Sequence, residues 1–250
     1  MNGLILRTCD NISKKCWFDN NNLILKSFFL RNTLSYALLN NYKIFVICDS
    51  VSKEYQSLIE LIFADNAKLF FYQGLGNYGS FQKQIEIALE YNFDFVEFAE
   101  DDFLKKGLID FQSLDKEIVY TGYHHPSYDK LQWRSFERVT DNLYSTVCSF
   151  LLHRQLLQIY HLEFMKFRDS SDSEMWYEMT APLWLKVLLK IKALLHLRFL
   201  KISFKKGNLR LRRLGSNVSW IHCAKDSLPF FYKDLIQYSK IEDVVKRYNF

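Results

Sequence analysis

The sequence predicts an α/β fold, a mostly parallel sheet covered by helices, with a basic helical region toward the C-terminus. Three observations carry this. Strand and helix signals alternate through the first hundred residues, the order that builds parallel crossover units. The strand segments are nearly all apolar, as in sheets covered on both faces. Three of the strands also end on polar or charged groups, at Arg7-Thr8, Asp49 and Glu100-Asp101-Asp102. In an open parallel sheet those ends share one edge, and ligands bind beyond it.

The elements follow in order. Leu4-Ile5-Leu6 reads as a short buried strand ending at Arg7-Thr8-Cys9-Asp10. Leu23 to Leu39 has helical length and apolar spacing. Lys43 to Cys48 is a second strand, nearly all apolar, ending at Asp49. Ser52 is placed to cap a helix through Glu54 to Ala64. Lys68 to Tyr72 is a third strand. A glycine-bearing loop, Gly74 to Gly79, comes next, and Ser80 is expected to cap a helix with Phe81, Ile85, Ala88 and Leu89 on one face. Phe93 to Ala99 is the fourth strand. Further on, Ile118 to Tyr123 reads as a strand. Tyr144 to Leu152 reads as another, leading into a helix around Gln155 to Tyr160. A basic apolar stretch, the segment Ser219 to Cys223 and a C-terminal helical tail complete the chain.

Composition supports one folded body. Hydrophobic residues make up 49% of the 250, enough for a sizeable core, and only 3 prolines and 8 glycines leave no long flexible linker. The net charge of +5 is uneven. Between Leu183 and Arg213 every charged residue is Lys or Arg, so the remainder of the chain is mildly acidic. The five cysteines are odd in number and form no C-x-x-C pair. That argues for reduced thiols in a cytoplasmic protein rather than a disulfide framework. No signal peptide and no uncharged apolar run of about 18 residues is visible, so no transmembrane helix is expected.

Three successive carboxylates directly after an apolar strand raise one another's pKa unless a cation compensates. Mg²⁺ and Mn²⁺ favour carboxylate and phosphate oxygens, so this cluster reads as a metal site. The alternative is a solvated acidic loop or a helix N-terminus. The run Phe95 to Asp102 resembles the D-x-D region of glycosyltransferases with the GT-A fold, with Glu100 in place of the first Asp. The resemblance implies Asp102 as the direct ligand of Mn²⁺ or Mg²⁺, with Glu100 and Asp101 contacting ribose, sugar or metal waters. It also implies nucleotide contacts from Arg7 and Thr8 at the first strand end and from Asp49 at the second. Asn77-Tyr78-Gly79-Ser80 is similar to the segment near the sugar and diphosphate. The resemblance covers roughly residues 3–105. It divides one GT-A-like catalytic domain into a nucleotide-sugar-binding half (1–105), an acceptor and catalytic half (106–225) and a helical tail (226–250).

In the second half, Asp172 or Glu174 is the candidate general base that would deprotonate an acceptor hydroxyl. The competing role is a helix N-cap and first turn. Trp176 could form a sugar-stacking wall, and His124 and His125 could line the acceptor pocket. Trp220-Ile221-His222 resembles the late histidine of many GT-A enzymes, which makes His222 a second metal or phosphate contact; a structural histidine is the plainer alternative. The basic segment suits a helix on an anionic membrane surface as well as it suits an ordinary amphipathic helix with solvated lysines. No nucleic-acid-binding module accompanies the charge.

The expectation is therefore a metal-dependent, inverting glycosyltransferase. It would take a UDP-linked sugar, with GDP or CDP as alternatives, and pass it to a cell-surface glycan or lipid-linked acceptor. Its expected place is the cytoplasm or the inner face of the membrane. The rivals are a nucleotidyltransferase, disfavoured because no glycine-rich loop follows the first strand, and a non-catalytic membrane-binding module.

Overall fold

The computed structural model describes residues 1–10, 21–123, 148–166, 172–195, 205–215 and 217–222, with a few isolated positions after 239. His124, His125 and all but a few positions of the expected C-terminal tail lie outside the described residues.

The alternating first half folds as its pattern predicts. Strand β1 (Asn2–Thr8) is followed by helix α1 (Asn22–Leu39), β2 (Tyr42–Asp49), α2 (Lys53–Phe63), β3 (Ala67–Tyr72), α3 (Gly76–Glu90) and β4 (Phe95–Glu100). Ser52 caps α2, its hydroxyl accepting from the Tyr55 amide at 3.2 Å. The four strands are parallel, in the order β3-β2-β1-β4. Their apolar residues, such as Leu4, Ile5, Phe45, Val46 and Phe98, are fully buried because helices cover both faces.

One local expectation is corrected. Helix α3 begins at Gly76, not after Ser80. The Asp49 carboxylate accepts from the amides of Leu75 at 3.0 Å and Gly76 at 2.7 Å. Those amides are the orphan donors of a helix start, so the helix begins where they are satisfied. Ser80 is buried inside the first turns, donating its hydroxyl to the carbonyls of Gly76 and Asn77.

Beyond β4 the sheet changes direction. β6 (Ile118–Thr121), β7 (Phe150–His153) and β8 (Arg210–Arg213) extend it, among the described residues, to seven strands in the order β3-β2-β1-β4-β7-β6-β8. β7 runs antiparallel to both β4 and β6, and β8 is parallel to β6. Helices α4 (Arg154–Lys166), α5 (Asp172–Thr180) and α6 (Leu183–Leu195) fill the second half. Phe164 of α4 stacks on Phe150 and meets Phe81 of α3 edge-on, so α3 and α4 share a face of the sheet.

Two short strands stand outside this sheet. β5 (Phe103–Lys106) and β9 (Ser219–His222) form an antiparallel ribbon with Phe103 opposite His222. Gly107 ends β5 with a φ of 104°. A Cβ there would lie 2.1 Å from the Asn217 carbonyl oxygen, so only glycine lets the segment before β9 cross so closely. Among the described residues no helix is long and apolar enough to cross a membrane.

Candidate active site

The acidic run Glu100-Asp101-Asp102 closes β4 and turns into β5. Glu100 is the last residue of β4, while Asp101 and Asp102 form the turn, so the three carboxylates leave the chain in different directions.

Glu100 turns toward α3. It pairs with Arg7 at 2.6 Å, and Arg7 also donates to the Asn77 carbonyl at 2.6 Å and lies over the Phe81 ring. Arg7 is buried, so both partners are committed to holding the ends of β1 and β4 against the start of α3. Asn77 enters this link through its backbone, while the residue itself is exposed.

Asp101 turns toward α1 and α2. One of its oxygens accepts from Lys26 at 2.5 Å and from the Thr8 hydroxyl, with the Tyr55 hydroxyl 3.4 Å away. Burial works against the Lys26 charge, but Asp101 outweighs it and holds the ammonium above its usual range. Burial, reinforced by Asp101, pushes the Tyr55 phenol up, so it stays a neutral donor.

Asp102 belongs to neither face. Its Oδ2 is 2.9 Å from Nε2 of His222, brought there by the β5–β9 ribbon from 120 residues away. The His222 ring is held against Phe103 and Tyr123. Burial would raise the Asp102 pKa, but the hydrogen bond and charge of His222, with Lys26 and Arg7 behind, hold it below the usual carboxylate range. The other oxygen, Oδ1, is buried and has no hydrogen-bond partner among the described residues. A buried anionic oxygen without a partner costs free energy unless something fills the position.

This juxtaposition completes the outline drawn from the sequence: a parallel sheet, an acidic turn ending its fourth strand, and a late histidine facing the last acid. The observed α/β sheet agrees in layout with what the resemblance to GT-A enzymes implies.

No protein-family model matches the chain, and no curated protein matches its sequence. Several solved glycosyltransferase structures are similar to it at low identity. TarS of S. aureus is 10% identical over 70% of this chain and 33% of its own, with a TM-score of 0.43. The bifunctional glycosyltransferase WbbM is 12% identical over 66% of this chain and 33% of its own, at 0.42. The galactosyltransferase LgtC, solved with donor and acceptor sugar analogues, is 8% identical over 86% of this chain and 88% of its own, at 0.42. The chain thus spans about a third of the length of TarS and WbbM.

The remaining expected site residues fall in three places. Asp49 is buried and spends its carboxylate on the start of α3 and the Ser50 hydroxyl. Asp172 opens α5, and Glu174 is half-buried in its first turn, the position of the N-terminal role weighed above. Trp176 corrects an expectation. It is fully buried, edge-on to Phe150 and Phe164, and is a core residue rather than a sugar-stacking wall. The apolar surface of a tryptophan is worth most where it is removed from water, and here neighbouring aromatics do that.

Six supporting residues carried no motif in the sequence. Lys26 and Tyr55 brace Asp101. Glu97 and Lys105, both fully buried, pair at 2.6 Å between β4 and β5. Tyr36 and Tyr42 donate to the second Glu97 oxygen at 3.0 and 2.8 Å. The Lys105 ammonium lies 4.5 Å from the Trp220 ring, which joins the ribbon to this network. The available signal was one acid inside an apolar strand and a pair of lysines just after the acidic turn.

Proposed function

We propose that this chain transfers a sugar from a nucleotide-sugar donor, UDP-linked for preference, to a cell-surface glycan or lipid-linked acceptor with the help of Mn²⁺ or Mg²⁺. The observation that carries the proposal is the Asp102–His222 pair with its unpartnered Oδ1, at the carboxyl end of the parallel strands where ligands of such sheets bind.

The residues fit a divalent cation of this kind. Among the described residues no group of three or more His, Cys, Asp or Glu side chains gathers. Asp102 and His222 alone would hold the ion, leaving its other positions to water and diphosphate, as suits Mg²⁺-type sites. Held there, such a cation would supply charge stabilisation for a departing diphosphate. The protein's own residues keep that edge rigid. Arg7 fixes Glu100, Lys26 fixes Asp101, and the ribbon holds His222 against Asp102. Asp172 or Glu174, at the start of α5, is the proposed base for the acceptor hydroxyl, with inversion at the anomeric carbon.

The test is a thermal-shift screen against UDP, GDP and CDP, each with and without Mn²⁺. Ligands that bind the native state raise the melting temperature by mass action. The expected result is a metal-dependent shift with UDP that disappears in Asp102→Ala while the fold persists. No shift with any nucleotide from folded protein defeats the proposal.

A further inference from the structure

Helix α6 is docked by one side only. Leu185, Lys186 and Ala193 are buried, and the Lys186 ammonium donates to the Glu178 carbonyl at 2.7 Å and pairs with its carboxylate at 3.2 Å. The opposite side carries Trp184, Val187, Leu188, Ile191, Leu194 and Leu195, all exposed, with Trp184 at 59% and Leu195 at 78%. At 3.6 residues per turn these six occupy an arc of about 120° with no polar residue inside it. Lys190 borders the arc on one side and Lys192 on the other.

More positive charge lies at the start of the helix. The segment after residue 204 returns to the end of α5 and the turn into α6, with the Gly207 amide on the Ala181 carbonyl at 3.0 Å and the Leu209 amide on the Met179 carbonyl at 2.9 Å. A Cβ at Gly207 would meet the Met179 carbonyl at 2.5 Å, so glycine permits this approach. Lys205 and Lys206, just before this contact, are exposed. From Leu183 to Arg213 there is no acidic residue.

We infer that the outer face of α6 inserts into the interface of an anionic lipid bilayer, with the bordering and neighbouring lysines on lipid phosphates. An apolar stripe edged by lysines is the pattern of helices that lie in a membrane surface, because lysine stems reach the headgroups while the stripe enters the acyl boundary. A second copy of the chain is a poorer occupant, since it would bring two basic rims together. The inference does not rest on the transferase reading. It would, however, place a transferase beside acceptors anchored in lipid.

The full chain is tested by co-sedimentation with phosphatidylcholine vesicles, with and without phosphatidylglycerol, in the absence of nucleotide and metal. The result can therefore fail while nucleotide binding stands. Wild type is expected to sediment with the anionic vesicles only, and less so as salt is raised. Trp184→Gln with Leu188→Gln, both at exposed positions, should weaken binding roughly tenfold or more. Lys192→Glu with Lys206→Glu should weaken it at least about tenfold, since each basic residue near an anionic surface contributes about fivefold. Brominated lipid should quench wild-type tryptophan fluorescence more than that of Trp184→Phe. Folded wild type remaining in the supernatant, or variants binding as well as wild type, overturns the inference. So does a dimer in sedimentation velocity that Trp184→Gln with Leu188→Gln converts to monomer.

Discussion

Three adjacent carboxylates, identical in charge, have three different fates because the chain turns between them. Glu100 is neutralised by Arg7 and Asp101 by Lys26, while Asp102 faces a histidine and keeps one oxygen unmatched. The first two are therefore structural ion pairs, and removal of one partner should be felt as lost stability. Asp101→Ala leaves the buried Lys26 ammonium without its carboxylate, and breaking a buried pair this way costs about 3–5 kcal/mol. Urea denaturation should show that loss, and Lys26→Met combined with Asp101→Leu should recover most of it by replacing the pair with apolar packing. A midpoint for Asp101→Ala equal to wild type would show that Lys26 finds other compensation and that the pair is not what braces the turn. The contrast with Asp102→Ala, which removes a carboxylate already short of partners, separates bracing from binding within three residues.

At the scale of elements, most of the fold was legible. Apolar runs bounded by polar punctuation marked β1 to β4, helical spacing marked α1, and a serine cap marked α2, to within a residue or two. Misread boundaries are those set by distant partners. Helix α3 starts at Gly76 because Asp49, on a different strand, supplies its cap, and no local signal near Ser80 could reveal that. β5 is four residues, Phe-Leu-Lys-Lys, too short for a period to show, and it is a strand because β9 pairs with it. The Asp49 cap makes a prediction at this scale. Asp49→Ala should lower stability by about 1–2 kcal/mol, the usual worth of a capping side chain. The amides of 75–78 should exchange hydrogen faster than in wild type, while those of β2 remain protected. Unchanged exchange at the start of α3 would mean the helix holds without this carboxylate.

At the scale of the molecule, the candidate site is a product of topology. Asp102 and His222 each stood out by position, yet their meeting depends on a ribbon that leaves the main sheet, and nothing local records a contact across 120 residues. Glu97 and Lys105 hold the base of that ribbon to β4, and their signal was an oddity of composition rather than a motif. The seam of the sheet, where the parallel half gives way to antiparallel strands, has a titratable residue of its own. His153 of β7 pairs with Phe95 of β4 and packs edge-on against its ring at 5.1 Å. Its Nδ1 accepts from the Gln155 amide at 3.3 Å, at the start of α4. Burial, with help from Lys116 and against the pull of Asp94, lowers its pKa. A cation at a helix N-terminus is unfavourable as well. The unfolded chain therefore takes up a proton at a pH where the folded chain still resists it. Stability contributed by neutral His153 is complete above the unfolded pKa of about 6.5 and is lost as pH falls toward the lower folded value. Asn at 153 keeps an acceptor for the Gln155 amide and removes the titration. The stability advantage of wild type over His153→Asn, measured as a difference in melting temperature, should shrink between about pH 7.5 and about pH 5.5. Parallel curves across that range would show that His153 protonates equally well in both states, and that the seam is wetter than its burial implies.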